Sequence, residues 1–243
     1  MYYTSSNKIK HFFIKNSNSE YEELTEIEIP IDITKIKSYT FYGFNNVTKV
    51  IIPSSVTSIG YNAFGSCSSL KSIEIPASVT SIDGSAFSSC SSLTSITIPS
   101  SVTSIGYEAF YGCSSLTSIV VEDDNENYKS INGNLYTKDG KTLIQYAIGK
   151  TATTFVVPSI VTSIGERAFY NCSNLTSVVI PNGVTSIGYE AFYNCSSLTS
   201  IIFENPNGWS AGKTSFTSSS LLDSSAAAYY LIMQYYYCIW TRS

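Results

Sequence analysis

The chain has 243 residues, of which 43% are apolar and 13% charged, and its net charge is −4. A disordered chain carries more charge and fewer aromatics, so this one folds. The lysines and arginines do not cluster, which argues against a nucleic-acid footprint and against polybasic attachment to acidic lipid.

Residues 1–14 hold no apolar core of the kind that marks a secretory signal, about 7–15 residues long. The chain is expected either to bypass that export route or to be a fragment of a longer one. Residues 1–23 are expected to form an N-terminal cap. Pro30, Pro53, Pro76 and Pro99 then recur every 23 residues, as do Ile36, Ile59, Ile82 and Ile105, and Phe41, Phe64, Phe87 and Phe110. The same period returns at Pro158/Pro181, Ile164/Ile187 and Phe169/Phe192. A fixed period of this length predicts a stacked array, in which each coil buries its apolar face against its neighbours.

Residues 93–115 show one coil most clearly. Leu93, Ile96 and Ile98 alternate as a short strand with its apolar side inward. Pro99 has no N–H and ends the pairing. Val102 to Ile105 form a second extended side. Glu108-Ala-Phe-Tyr-Gly112 is expected to be one helical turn, with Ala109 and Phe110 inward, and Cys113 packs at the bend. Coils are expected to stack about 4.8 Å apart, the spacing of paired strands.

Residues 24–121 therefore predict repeats, 122–157 an irregular β-hairpin insert, 158–203 further repeats and 204–243 a C-terminal cap. Within the insert, Asn132-Gly133 and Asp139-Gly140 favour tight turns between three strands. The acidic run Glu122-Asp-Asp-Asn-Glu126 lacks the calcium-loop spacing and reads as a solvated loop. The apolar stretch 226–240 is shorter than the about 20 residues of a membrane span. It is expected to fold back over the last coil.

The recurring Leu-x-x-Ile-x-Ile-Pro, Val-Thr-Ser-Ile-Gly and Ala-Phe-x-x-Cys resemble the BspA-like leucine-rich repeat, over about residues 24–203. The resemblance implies an α/β repeat solenoid: mostly short parallel strands with short helical turns and capped ends. It also implies a non-enzymatic binding or adhesion module at the cell surface or secreted, engaging a protein on a host or neighbouring cell. The missing signal leaves a cytoplasmic location open. A glycan is the other ligand class weighed, and neither membrane insertion nor a cofactor is expected.

Cys67, Cys90, Cys113, Cys172 and Cys195 repeat in phase, and Phe44 stands at the same step in the first coil. A disulfide or metal ligand could not be replaced by Phe, so these cysteines are expected to form a column of buried thiols. No metal site is expected, because His11 is the only histidine. The same fact weakens any catalytic triad. Gly149-Lys150-Thr151 lacks the first glycine of a phosphate loop, since position 144 is Ile144. Asn46, Asn171, Asn174 and Asn194 lie in glycosylation sequons but at positions the repeat itself uses.

Two surfaces are candidates for binding. The first is the outward face of the first strands, at Ser118, Val120, Ser177, Val179, Ser200 and Ile202, with Phe203 placed beside them. The second is an aromatic edge at Tyr107, Tyr111, Tyr189 and Tyr193, expected side by side on the helical turns. A structural spacer within a larger surface protein is one rival to binding. A carbohydrate-processing enzyme using carboxylates near the insert is another, and would need a cleft between two of them.

Overall fold

The computed structural model describes residues 25–243, together with the backbone of Phe13–Lys15 and Tyr21–Glu23, which pair as antiparallel strands. The rest of the expected N-terminal cap, including His11, lies outside the described residues. The chain divides into two compact units, Met1–Asn127 and Tyr128–Ser243.

The first unit is a parallel β-solenoid. Its first strands, Glu26–Glu28, Lys49–Ile51 and Ser72–Ile73, pair in register, and Ser95–Ile98 pairs with Ser118–Val121. The second strands, Lys35–Ile36, Ser58–Ile59, Ser81–Ile82 and Ser104–Ile105, form their own parallel ladder. Like residues therefore stack on like residues. Phe41, Phe64, Phe87 and Phe110 lie nearly parallel, with centroids 5.3, 5.4 and 5.9 Å apart. After each repeat proline a tight turn closes, its carbonyl accepting from the N–H of the residue three on: Ile33 for Pro30, and a valine for the others, as in Val102 to Pro99 at 3.2 Å.

The corner expected to be a helical turn is not helical. Helical residues need φ near −63°. Here the corner begins on a left-handed residue in successive coils: Asn62 (φ 51°), Ser85 (55°) and Glu108 (56°). A second follows four residues on, at Ser66 (60°), Ser89 (59°) and Gly112 (68°). These reversals turn alternate amides along the stack. Phe64 N–H donates to Ala86 O at 2.8 Å and Ser66 N–H to Ser88 O at 2.7 Å, while Ala63 and Cys67 close turns within their own coil. A helix would satisfy these amides inside one coil. The turns bond each corner to its neighbour, as the strands do.

A left-handed residue other than glycine costs about 1–2 kcal/mol, and an inter-coil hydrogen bond returns about 1 kcal/mol. Asn tolerates this geometry and Val does not. Gly112→Val should destabilise the fold by about 1–2 kcal/mol in urea titration. Gly112→Asn should be close to neutral, since Asn171 and Asn194 hold the same step in the second unit at φ 62° and 57°. Equal stability of the Val and Asn variants would contradict this account of the corner.

The second unit begins with Tyr128–Ile131, Asn134–Thr137 and Thr142–Gln145, an antiparallel meander. Its first turn has positive φ at both Asn132 and Gly133, 51° and 73°, as the sequence requires. The third strand then pairs in parallel with Ser163–Ile164, which pairs in turn with Ser186–Ile187. Tyr146 stands 23 residues before Phe169 and takes its place in the ring column, 5.3 Å from it. The first strands here are Thr154–Val156, Ser177–Ile180 and Ser200–Phe203.

The final segment packs on the last of these coils. Helix α1 (Ser218–Leu222) is capped by Thr217 and α2 (Ser224–Tyr229) by Asp223, whose side chains accept the first free amides. Helix α2 lies against the Ser200–Phe203 strand, with Ala227 and Ala228 buried, and a π-helical turn, Tyr230–Gln234, buries Leu231. Trp240–Arg242 returns antiparallel to Ser186–Ile187 and to Trp209–Ala211.

The repeat cysteines are buried and free. Cys67, Cys90 and Cys113 donate their thiols to the carbonyls of Phe41, Phe64 and Phe87, each at 3.1 Å, and Cys195 donates to Phe169 O at 3.0 Å. Each thiol thus ties one coil to the coil before it. Burial pushes Cys67 and Cys113 up to about 12 and also raises Cys90 and Cys172 well above the ordinary thiol value.

Candidate binding surfaces

Strand alternation decides which side chains face solvent. In the second unit Val178 and Ile201 are fully buried, while their neighbours Val179 and Ile202 turn outward. Register then aligns Val156, Val179 and Ile202 in one row and Thr154, Ser177 and Ser200 in another. Val156 is 64% exposed and Ile202 45%, with Val179 half-buried between them. Val156 was not among the expected site residues, although it lies 23 residues before Val179.

Phe203 does not belong to this surface. It falls on the inward phase of its strand, is 4% exposed, and packs edge-on against Trp209 at 5.1 Å. In the first unit the corresponding face pairs Ser118 with Ser95 and Val120 with Thr97. Val120 and Ile51 are both exposed there.

The tyrosine edge is built differently from the expected helical pairs. Glu108 and Glu190, which follow Tyr107 and Tyr189, are left-handed, so no helix sets the rings side by side. Ring contacts of Tyr107 and Tyr193 run along the stack instead. Tyr107 lies over Gly84 and reaches Tyr61, 6.4 Å between centroids; a side chain at Gly84 would meet the Tyr107 ring. Tyr111 is half-buried in the same corner. In the second unit Tyr193 sits between Tyr170 at 5.1 Å and Tyr236 at 4.7 Å. Tyr236 comes from the closing segment, so no periodicity could have announced it.

Arg167 anchors this second edge. Its Nε donates to the Glu190 carboxylate at 2.7 Å, and its guanidinium lies 5.6 Å from the Tyr189 ring and 5.9 Å from that of Tyr170. A hydrogen bond to Glu190 raises the Tyr189 phenol above its ordinary value.

Two of the carboxylates around the insert hold turns. Glu122 accepts the Ser100 N–H at 2.7 Å. Asp139 accepts the Thr137 hydroxyl and the Lys141 N–H, and the Thr137 bond is the main cause of its lowered pKa. Within the acidic run Asn125 is not solvated. It is buried and donates to Pro99 O and Val102 O at 2.8 and 3.0 Å. Among the described residues no cluster of three His, Cys, Asp or Glu side chains is arranged to hold a metal ion. Nor is any helix among them long and apolar enough to cross a membrane.

The repeat geometry has counterparts. The family model described as "BspA type Leucine rich repeat region" matches residues 8–139 and 146–234, in six copies. The chain belongs to the BspA-type leucine-rich repeat family. A leucine-rich repeat protein from Eubacterium ventriosum is 30% identical with a TM-score of 0.59, the match covering 74% of this chain and 60% of that one. The pneumococcal vaccine antigen PcpA is 25% identical with a TM-score of 0.63, covering 78% and 53%. A leucine rich cell surface protein from Faecalibacterium prausnitzii is 26% identical with a TM-score of 0.50, covering 83% and 76%. This BspA-type chain thus spans only 60% and 53% of the first two of these relatives. No curated protein matches it.

Proposed function

We infer that this protein is a non-enzymatic binding module at a cell surface, holding a protein partner on the first-strand face of its solenoid. The observation that carries the reading is the row Val156, Val179 and Ile202, β-branched side chains on the outward phase of a parallel sheet. Such side chains, bordered by Thr154, Ser177 and Ser200, give an apolar centre with a polar rim, the anatomy of a protein interface. The cell-surface description of the Faecalibacterium relative and the vaccine-antigen description of PcpA agree with a surface role.

The test is a pair of substitutions that leave the core alone. Val179→Asp and Ile202→Lys place charges at the centre of the row, where an unpaired charge costs about 2 kcal/mol or more of binding. Partner affinity measured by surface plasmon resonance should fall about thirtyfold, with the thermal melt unchanged. Tyr107→Asp and Tyr189→Asp should leave affinity largely intact. The reverse ranking would move the protein site to the tyrosine edge.

A further inference from the structure

The tyrosine edge of the second unit carries chemistry that a protein-binding sheet face does not use. Tyr170, Tyr193 and Tyr236 form a continuous row of partly exposed rings, and Tyr170 and Tyr193 are set one coil apart. Beside them, at the left-handed step, stand Asn171 and Asn194, their amides joined at 2.7 Å. Each of these two coils therefore presents the same pair, a phenol ring and a carboxamide.

Charge narrows the ligand. Arg167, the cation of this edge, is engaged by Glu190 at 2.7 Å and by Glu166 at 3.5 Å. An anionic ligand would meet two carboxylates for one guanidinium already paired. Beyond that ion-paired cluster the edge is a repeating line of aromatic faces, hydroxyls and amides. Aromatic faces pack against C–H groups, while phenols and carboxamides both donate and accept. A neutral, polyhydroxylated chain of like units satisfies all three, its ring faces on the tyrosines and its hydroxyls on the asparagines.

We propose that the Tyr170–Tyr193–Tyr236 edge, with Asn171 and Asn194, is a binding site for a neutral polysaccharide, separate from the sheet face. The test is affinity electrophoresis of the whole chain in native gels containing hydroxyethylcellulose, mixed-linkage β-glucan or galactomannan, with polygalacturonate as the anionic arm. At least one neutral polymer should retard the protein and polygalacturonate should not. Tyr193→Ala should weaken the apparent affinity at least tenfold. Asn194→Asp should do the same without touching the core, since Asp also tolerates the left-handed geometry. Val179→Asp should migrate as the parent protein does. The proposal is overturned by no retardation in any of the three neutral polymers, by retention in polygalacturonate alone, or by undiminished retardation of both edge variants. None of those results bears on the sheet face.

Discussion

Raising the pH from 9 towards 12 should unfold this protein with a steepness set by its buried thiols. In the unfolded chain a thiol titrates near 9.0, whereas burial raises Cys67 and Cys113 to about 12 in the fold and raises Cys90 and Cys172 too. Below pH 9 both states keep their protons and stability is complete. Above it the unfolded state releases protons that the folded state retains, so stability falls as pH rises. Each thiol removes about 1.4 kcal/mol per pH unit in that window. Four together exhaust a typical margin of about 5–15 kcal/mol within a few units. Tyr136 and Tyr146, raised from 10.0 to about 12 by burial, act in the same sense above pH 10. Urea midpoints measured from pH 7 to 11 should show this fall, and Cys113→Ala should flatten the slope by about one proton. A stability that stays level between pH 9 and 11 would contradict the thiol columns.

Loss of residues 223–243 should leave a protein that associates or precipitates. Those residues include α2 and Trp240, which is fully buried and lies 6.4 Å from Phe203 and 4.5 Å from Phe216. Without them Phe203 and Trp209 lose their cover, and so does the free side of the Ser186–Ile187 strand. An open coil end offers both apolar surface and unpaired amides to another copy. Trp240→Ala is the milder version and should cost about 3–5 kcal/mol. Light scattering on the eluted truncation decides the matter. A monomer as heat-stable as the whole chain would show that the tail covers nothing of consequence.

The array was legible because every coil obeys the same constraint. A residue 23 positions on meets the same neighbours, so Phe64, Ile59 and Cys67 declare the interior by repetition. The corner was not legible. Its first left-handed step is filled by Tyr39, Asn62, Ser85, Glu108, Arg167 and Glu190, which share no residue type that favours positive φ. The conformation is imposed by amides bonding along the stack, and Glu-Ala-Phe-Tyr-Gly is as compatible with a helical turn as with the corner that forms. The second step did carry a signal, in Gly43, Ser66, Ser89, Gly112, Asn171 and Asn194, small or amide residues throughout. Of the candidate site, Val179 and Ile202 followed from alternation, and Val156 could have been found by counting back one period. Phe203 shares its phase with buried Ile180 and so belonged inside from the outset. Tyr236 enters from outside the repeat, where periodicity has nothing to say.

The most direct measurement of the proposed role is photo-crosslinking from single positions on the whole chain. A benzophenone amino acid is placed at Val179 in one protein and at Tyr189 in another, and each is irradiated in a preparation of cell-surface proteins. Adducts from position 179, with few from position 189, are what the sheet-face reading predicts. Adducts from position 189 with none from position 179 would contradict it.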